Sequence, residues 1–164
     1  MPKGKPLVAV VMGSRSDLPV LEETRKVLKE FGVPHETRVL SAHRTPAEAA
    51  AYFAAAEGRG IKVVICAAGG AAHLAGAAAA HTTLPVIAVP MDGSPLQGWD
   101  ALLSSVMMPP GVPVATVSVG AWGAKNAAYL AVAVLSLANA GLRKKLRAFR
   151  TSQRDKILKD SVVG

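Results

Sequence analysis

One cysteine, Cys66, is all the thiol this chain holds, so no disulfide can form within it. It stands inside the apolar run Val63-Val64-Ile65-Cys66-Ala67. Burial among such neighbours raises a thiol's pKa and makes it inert, so Cys66 reads as core. Aromatic residues are scarce as well, at 4% of positions against 51% hydrophobic, which leaves alanine, valine and leucine to build the interior from small, closely spaced elements. No C-x-x-C, H-E-x-x-H or similar spacing occurs, and no metal site is expected. The opening Met1-Pro2-Lys3-Gly4-Lys5 has no apolar h-region, so the reading is of no signal peptide and a cytoplasmic protein. Only one run is long enough to cross a bilayer, Val63 to Ala80, with His73 its single ionisable residue. It is mostly alanine, a weak hydrophobe, and Gly69-Gly70 divides it into a strand part and a helix part, so no membrane span is expected.

Charge is unevenly placed. Residues 142–164 hold eight Lys/Arg (Arg143, Lys144, Lys145, Arg147, Arg150, Arg154, Lys156, Lys159) against Asp155 and Asp160, a net +6 of the chain's +8. A basic helix can bind nucleic acid. This one lacks the interleaved aromatics of a single-strand binder, having only Phe149, and reads instead as a solvated face or a subunit contact.

Short apolar runs alternate with helical patterns across all 164 residues, the signature of βαβ units, and the expectation is one α/β domain with a doubly wound parallel sheet. Residues 1–6 form an N-terminal tail and 142–164 a C-terminal helix and tail. Strands are expected at 7–12, 34–40, 61–67, 85–89 and 114–118. The first, third and fourth are nearly continuous in Val, Ile and Ala, as strands buried on both faces are. A first helix is expected over 18–31, capped by Ser16 or Asp17, with Pro19 in its first turn and Gly32 after it. A second starts with Thr45 as cap, Pro46 in the first position and Glu48 completing a capping box. Others are expected near 71–80, 95–106, 123–140 and 142–158.

In such a sheet ligands bind beyond the carboxyl ends of the strands, and three clusters fall there. Gly13-Ser14-Arg15-Ser16-Asp17 offers a close backbone turn, two hydroxyls and a helix N-terminus, which suits a phosphate or ribose; it is also readable as a plain cap and turn. It is neither a GxGxxG fingerprint nor a P-loop. Ser41-Ala42-His43-Arg44-Thr45-Pro46 sets an arginine able to grip a phosphate with both guanidinium arms beside a histidine able to pass a proton either way. Ala68-Gly69-Gly70-Ala71-Ala72-His73-Leu74 permits close backbone approach to a flat ligand. His73 can touch substrate or satisfy a buried backbone group, and the residues alone leave both open. His35 and His81 read as surface or helix-end residues.

Taken together, Val11–Asp17, Val39–Pro46 and Ala68–Leu74 resemble the microbial N5-carboxyaminoimidazole ribonucleotide mutases, the class I members of the phosphoribosylaminoimidazole carboxylase family. Met108–Thr116 and Gly123–Ala128 fit as well, so the resemblance runs over about residues 7–158. It implies a flavodoxin-like three-layer fold, a homo-octamer whose C-terminal helix reaches neighbouring subunits, and a ribonucleotide substrate with a carbamate on its imidazole amino group. By resemblance, Ser14, Asp17 and Arg44 hold phosphate and ribose, Ser16 and Ser41 line the same pocket, and Gly69, Gly70, Ala71 and His73 wall the base and its carboxyl group. His43 is the implied acid/base. The carbamate releases CO2 in a closed pocket, C4 of the electron-rich ring attacks it, and His43 removes the C4 proton, with no metal, nucleotide triphosphate or redox cofactor implied. Ala75, Ala77, Gly93, Ala101 and Met107 depart from the usual residues of that pattern, mostly in or near the loop 91–111. Two other readings stand beside it: a class II carboxylase using free CO2, which Arg44 and the Gly-Gly-Ala-Ala-His motif disfavour, and a flavodoxin-like binding module without catalysis, in which His43 beside Arg44 has no purpose.

Overall fold

Five parallel strands order themselves 2-1-3-4-5 in the computed structural model, which describes residues 4–161. The outermost residues of both expected tails, 1–3 and 162–164, lie outside the described residues. The strands are β1 (Val8–Met12), β2 (His35–Val39), β3 (Val63–Ala68), β4 (Val86–Pro90) and β5 (Ala115–Thr116). This strand order is that of the flavodoxin-like doubly wound sheet. The three runs richest in Val, Ile and Ala are the three inner strands, almost wholly buried, while β2 and β5 lie at the edges and are half-exposed. The stretch Val63–Ala80 thus resolves into β3, a turn and all but the last residue of a short helix. Among the described residues no helix is long and apolar enough to cross a membrane.

Side chains along β1 alternate between two cores, as the period-two pleat requires. Val8, Val10 and Met12 face the first core, beneath α1 (Leu18–Phe31), α5 (Gly120–Ser136) and α6 (Ala140–Lys159). Ala9 and Val11 face the second, beneath α2 (Pro46–Ala54) and α3 (Leu74–His81). The alanines explain the shortage of rings. Ala124, Ala127, Ala128 and Ala131 are fully buried where α5 lies on the sheet beside α1, and the approach is close enough for Thr24 Oγ1 to donate to the Ala124 carbonyl oxygen at 2.7 Å. Three of the few aromatics gather at one place. Phe31, Tyr129 and Phe149 meet with centroids 4.7 to 6.0 Å apart and fix the first half of α6 to the core. Lys145 Nζ adds a bond to the Phe31 carbonyl, at the end of α1 where Gly32 turns left-handed (φ 73°).

Several helix starts differ from the sequence reading. Asp17 takes the N-cap position of α1 without a side-chain capping bond; Ser14 accepts from the Ser16 N–H, and a short 3-10 turn over Arg15–Asp17 leads into the helix. Thr45 makes no capping bond to α2, because its hydroxyl is taken up in a closed turn, accepting from the Ser41 N–H at 2.9 Å and donating to the Ser41 carbonyl at 3.1 Å. The expected capping box therefore does not form. α3 begins at Leu74 rather than 71, since Gly70 is left-handed (φ 62°) and the chain turns there before becoming helical. α4 (Trp99–Val106) also starts late, after left-handed Gly98. α5 ends at Ser136, where Arg143 donates to the carbonyls of Ser136 and Leu137, and Asn139 caps α6 through the Leu142 N–H.

Candidate active site

The connections after β1, β2, β3 and β4 converge on a cavity of about 620 Å³ at the carboxyl end of the sheet. All ten residues singled out in the sequence line it: Ser14, Ser16, Asp17, Ser41, His43, Arg44, Gly69, Gly70, Ala71 and His73. Three sequence segments separated by some thirty residues each are thereby joined into one wall, because β2, β1 and β3 are adjacent and parallel in the sheet.

Two contacts join the segments directly. Arg44 Nη2 donates to the Gly13 carbonyl at 2.7 Å, which ties the loop after β2 to the turn after β1. Its backbone N–H and its Nε both point at Ser41 Oγ, at 3.1 and 3.5 Å. His43 Nε2 and His73 Nδ1 lie 2.8 Å apart with the rings perpendicular, which ties the loop after β2 to the one after β3. One of these nitrogens must carry a hydrogen and the other a lone pair. Both rings are exposed to the cavity, so either nitrogen can be released to a ligand.

The turn after β1 is a cluster of oxygens. Ser16 Oγ donates to Ser14 Oγ at 2.8 Å and reaches Asp17 Oδ1 at 3.4 Å. Burial raises the Asp17 carboxyl above the ordinary carboxylate range, against the lowering effects of Ser16, of the Ser14 backbone and of the Arg44 charge. The site therefore sets a cation and an acid of raised pKa around space large enough for a nucleotide-sized ligand.

A fourth wall was not singled out in the sequence. Met91, Asp92, Gly93 and Ser94, after β4, also line the cavity. Close packing holds this loop against the start of α5: at Gly98 (φ 87°) an added Cβ would lie 2.6 Å from Val119, and at Gly120 one would lie 3.2 Å from an Asp92 carboxylate oxygen. Ser94 donates to Asp100 at 2.8 Å, which fastens the loop to α4. Applying the strand-end rule to the fourth strand, as to the first three, finds these residues.

A family model described as AIR carboxylase matches residues 7–156, almost the whole described chain and every wall of the cavity. This chain belongs to the AIR carboxylase family. Within the family it is similar to the N5-carboxyaminoimidazole ribonucleotide mutase of Pyrococcus horikoshii, with 50% identity over 157 residues, covering 96% of this chain and 88% of that protein. It is 49% identical to the Bacillus subtilis protein of the same name over 157 residues, covering 96% and 97% of the two chains. Among solved structures, Treponema denticola PurE superposes with a TM-score of 0.86 at 31% identity, covering 94% of this chain and 96% of that one. The flavodoxin-like fold read from the sequence is thus the fold of a family member of known structure.

Proposed function

We propose that this chain is a mutase of purine biosynthesis that converts 5-(carboxyamino)imidazole ribonucleotide into 4-carboxy-5-aminoimidazole ribonucleotide. The observation that carries the reading is the junction of His43 and His73 at 2.8 Å in a cavity also lined by Arg44, Ser14 and Asp17. A proton-handling pair and a phosphate-binding set thus share one cavity. The mutase name borne by relatives about half identical over nearly the full chain supports it.

The chemistry follows from proton balance. When the carbamate C–N bond breaks, CO2 leaves and the ring's amino nitrogen takes up a proton. C4, made nucleophilic by that nitrogen, attacks the enclosed CO2 and becomes tetrahedral, bearing both hydrogen and carboxylate. Loss of the C4 proton restores the aromatic ring. One proton is gained at nitrogen and one lost at carbon, so a single acid/base returns to its starting state each cycle, and we assign that role to His43. Arg44, Ser14 and Asp17 hold the ribose phosphate, Ser16 and Ser41 complete that end, and Gly69, Gly70, Ala71 and His73 face the base. The protein supplies positioning, an enclosed space and a proton shuttle. None of these steps calls for a metal or a redox cofactor. The active form is a homo-octamer in the cytoplasm, its subunits linked in part by α6.

The deciding experiment offers the carbamate nucleotide and the uncarboxylated nucleotide separately, each with and without bicarbonate, and follows the carboxylated product. Turnover of the carbamate nucleotide without bicarbonate is expected. Turnover only of the uncarboxylated nucleotide, and only with bicarbonate, overturns the mutase reading in favour of a carboxylase.

A further inference from the structure

A second cavity, of about 490 Å³, lies along the edge strand β2 and shares no lining residue with the first. Three arginines from three different elements line it: Arg15 from the turn after β1, Arg25 from α1 and Arg38 from β2. Arg15 and Arg38 form no side-chain hydrogen bond or ion pair with any described residue. Arg25 holds Glu22 through one arm, yet its Nε is buried without a hydrogen-bond partner. Glu36, the one carboxylate among the lining residues, is already taken by Tyr52 and Arg59. The remaining wall is formed by the apolar Met12, Leu18 and Val39 together with Thr37 and His35, whose Nδ1 meets the Val33 carbonyl oxygen at 3.0 Å.

An unpartnered buried guanidinium N–H costs free energy, because its lost hydration is not replaced by a protein acceptor. Two further guanidinium groups beside it, with no acid left to neutralise them, make the cavity a field that selects anions. Planar guanidinium groups match the oxygens of a phosphate, and the apolar wall accepts a flat, weakly polar body. We propose that this cavity is a second anion-binding site, separate from the substrate pocket, that takes a phosphate-bearing small molecule of nucleoside monophosphate size. Arg25 and Arg38 hold the phosphate, Arg15 closes over it, and Met12 with Leu18 packs against the base. Arg15 stands in sequence between Ser14 and Ser16, both of which line the substrate pocket, so one short turn serves the two cavities from opposite sides.

The test is calorimetric titration of the whole protein with AMP, with inorganic phosphate and adenosine as comparison probes. Wild type is expected to show two classes of AMP site. Arg44→Ala weakens one class and leaves the other; Arg38→Ala weakens the other at least tenfold while turnover stays within twofold of wild type. Phosphate binds the second class more weakly than AMP, and adenosine does not bind it. A single class of site in wild type, or a second class unaffected by both Arg38→Ala and Arg15→Ala, overturns the proposal. So does a change in particle mass on Arg38→Ala with no second class of site, which makes the cavity a contact between copies of the chain.

Discussion

His43 Nε2 and His73 Nδ1 share one hydrogen bond of 2.8 Å across rings set at 89° to one another. Two imidazolium ions would turn N–H against N–H at that distance, so the pair holds together only while at least one of the facing nitrogens keeps its lone pair. A base in this setting has its hydrogen bond already oriented before the substrate arrives. The two histidines should therefore act as a unit. His43→Asn keeps a polar side chain but cannot shuttle a proton, and turnover should fall by about 10²-fold or more. Calorimetric binding of the nucleotide should stay nearly unchanged. His73→Asn should lose less, and the double variant should be no slower than His43→Asn by more than about threefold, because groups acting together are not additive. Multiplying losses would show two independent roles.

Arg44, to which we assign the substrate phosphate, also fastens two loops, through the Gly13 carbonyl and Ser41 Oγ. Lysine keeps the charge and loses the fork. In Arg44→Lys, nucleotide affinity should fall roughly tenfold or more, on the order of 1.5–3 kcal/mol for a charge-assisted contact. The turnover of the bound substrate should fall much less. Wild-type affinity by calorimetry would remove Arg44 from the phosphate.

Burial raises the Asp17 carboxyl above its ordinary value of 3.8. The folded protein then binds that proton more tightly than the unfolded chain. Stability from this group is present at low pH and is lost as pH rises from the unfolded value through the folded one. Asp17→Asn removes the loss and keeps a residue suited to a helix start. Its stability relative to wild type should rise from acid to neutral pH, by an amount on the order of 0.5 kcal/mol or less in chemical denaturation, since half the group faces solvent. Substrate binding should weaken in the same variant. A stability difference that falls with pH would show Asp17 to be stabilising as a carboxylate.

The inner strands were legible because burial on both faces leaves an unbroken Val/Ile/Ala signal, and the three site motifs were legible because they sit where β1, β2 and β3 end. Helix starts were less so. Ser14, Thr45 and Asn139 are alike as short polar residues, yet Ser14 caps the 3-10 turn before α1, Thr45 closes back on Ser41 and only Asn139 caps an α-helix through its own side chain. Which partner a hydroxyl takes depends on the turn around it, and spacing alone does not record that. The wall after β4 was missed for a related reason. Asp92 and Ser94 carry no distinctive motif; Asp92 enters the site through packing against Gly98 and Gly120, and Ser94 through its bond to Asp100.

The C-terminal helix divides into two parts that deletion can separate. Leu142, Leu146 and Phe149 pack on the chain's own core, whereas every described residue from Arg150 onward is exposed, Ile157 and Leu158 among them. Removing residues from 142 would strip the core itself. Removing 151–164 should leave the monomer folded by circular dichroism but reduce particle mass by light scattering, with lower activity. An unchanged octamer after that truncation would show that the exposed turns join no subunits.

The lone thiol gives the molecule a reporter at its centre. Cys66 lies on β3, between β1 and β4, is 2% exposed, and burial pushes its pKa up. A thiol reagent can reach it only when the middle of the sheet comes apart. Where closing is faster than alkylation, the labelling rate counts how often the native protein visits that open state. A ligand that binds only the closed form slows labelling by the factor 1 + [L]/Kd. The wild-type chain can thus report occupancy of either cavity without an introduced probe, by how long its single sulfur stays unmodified.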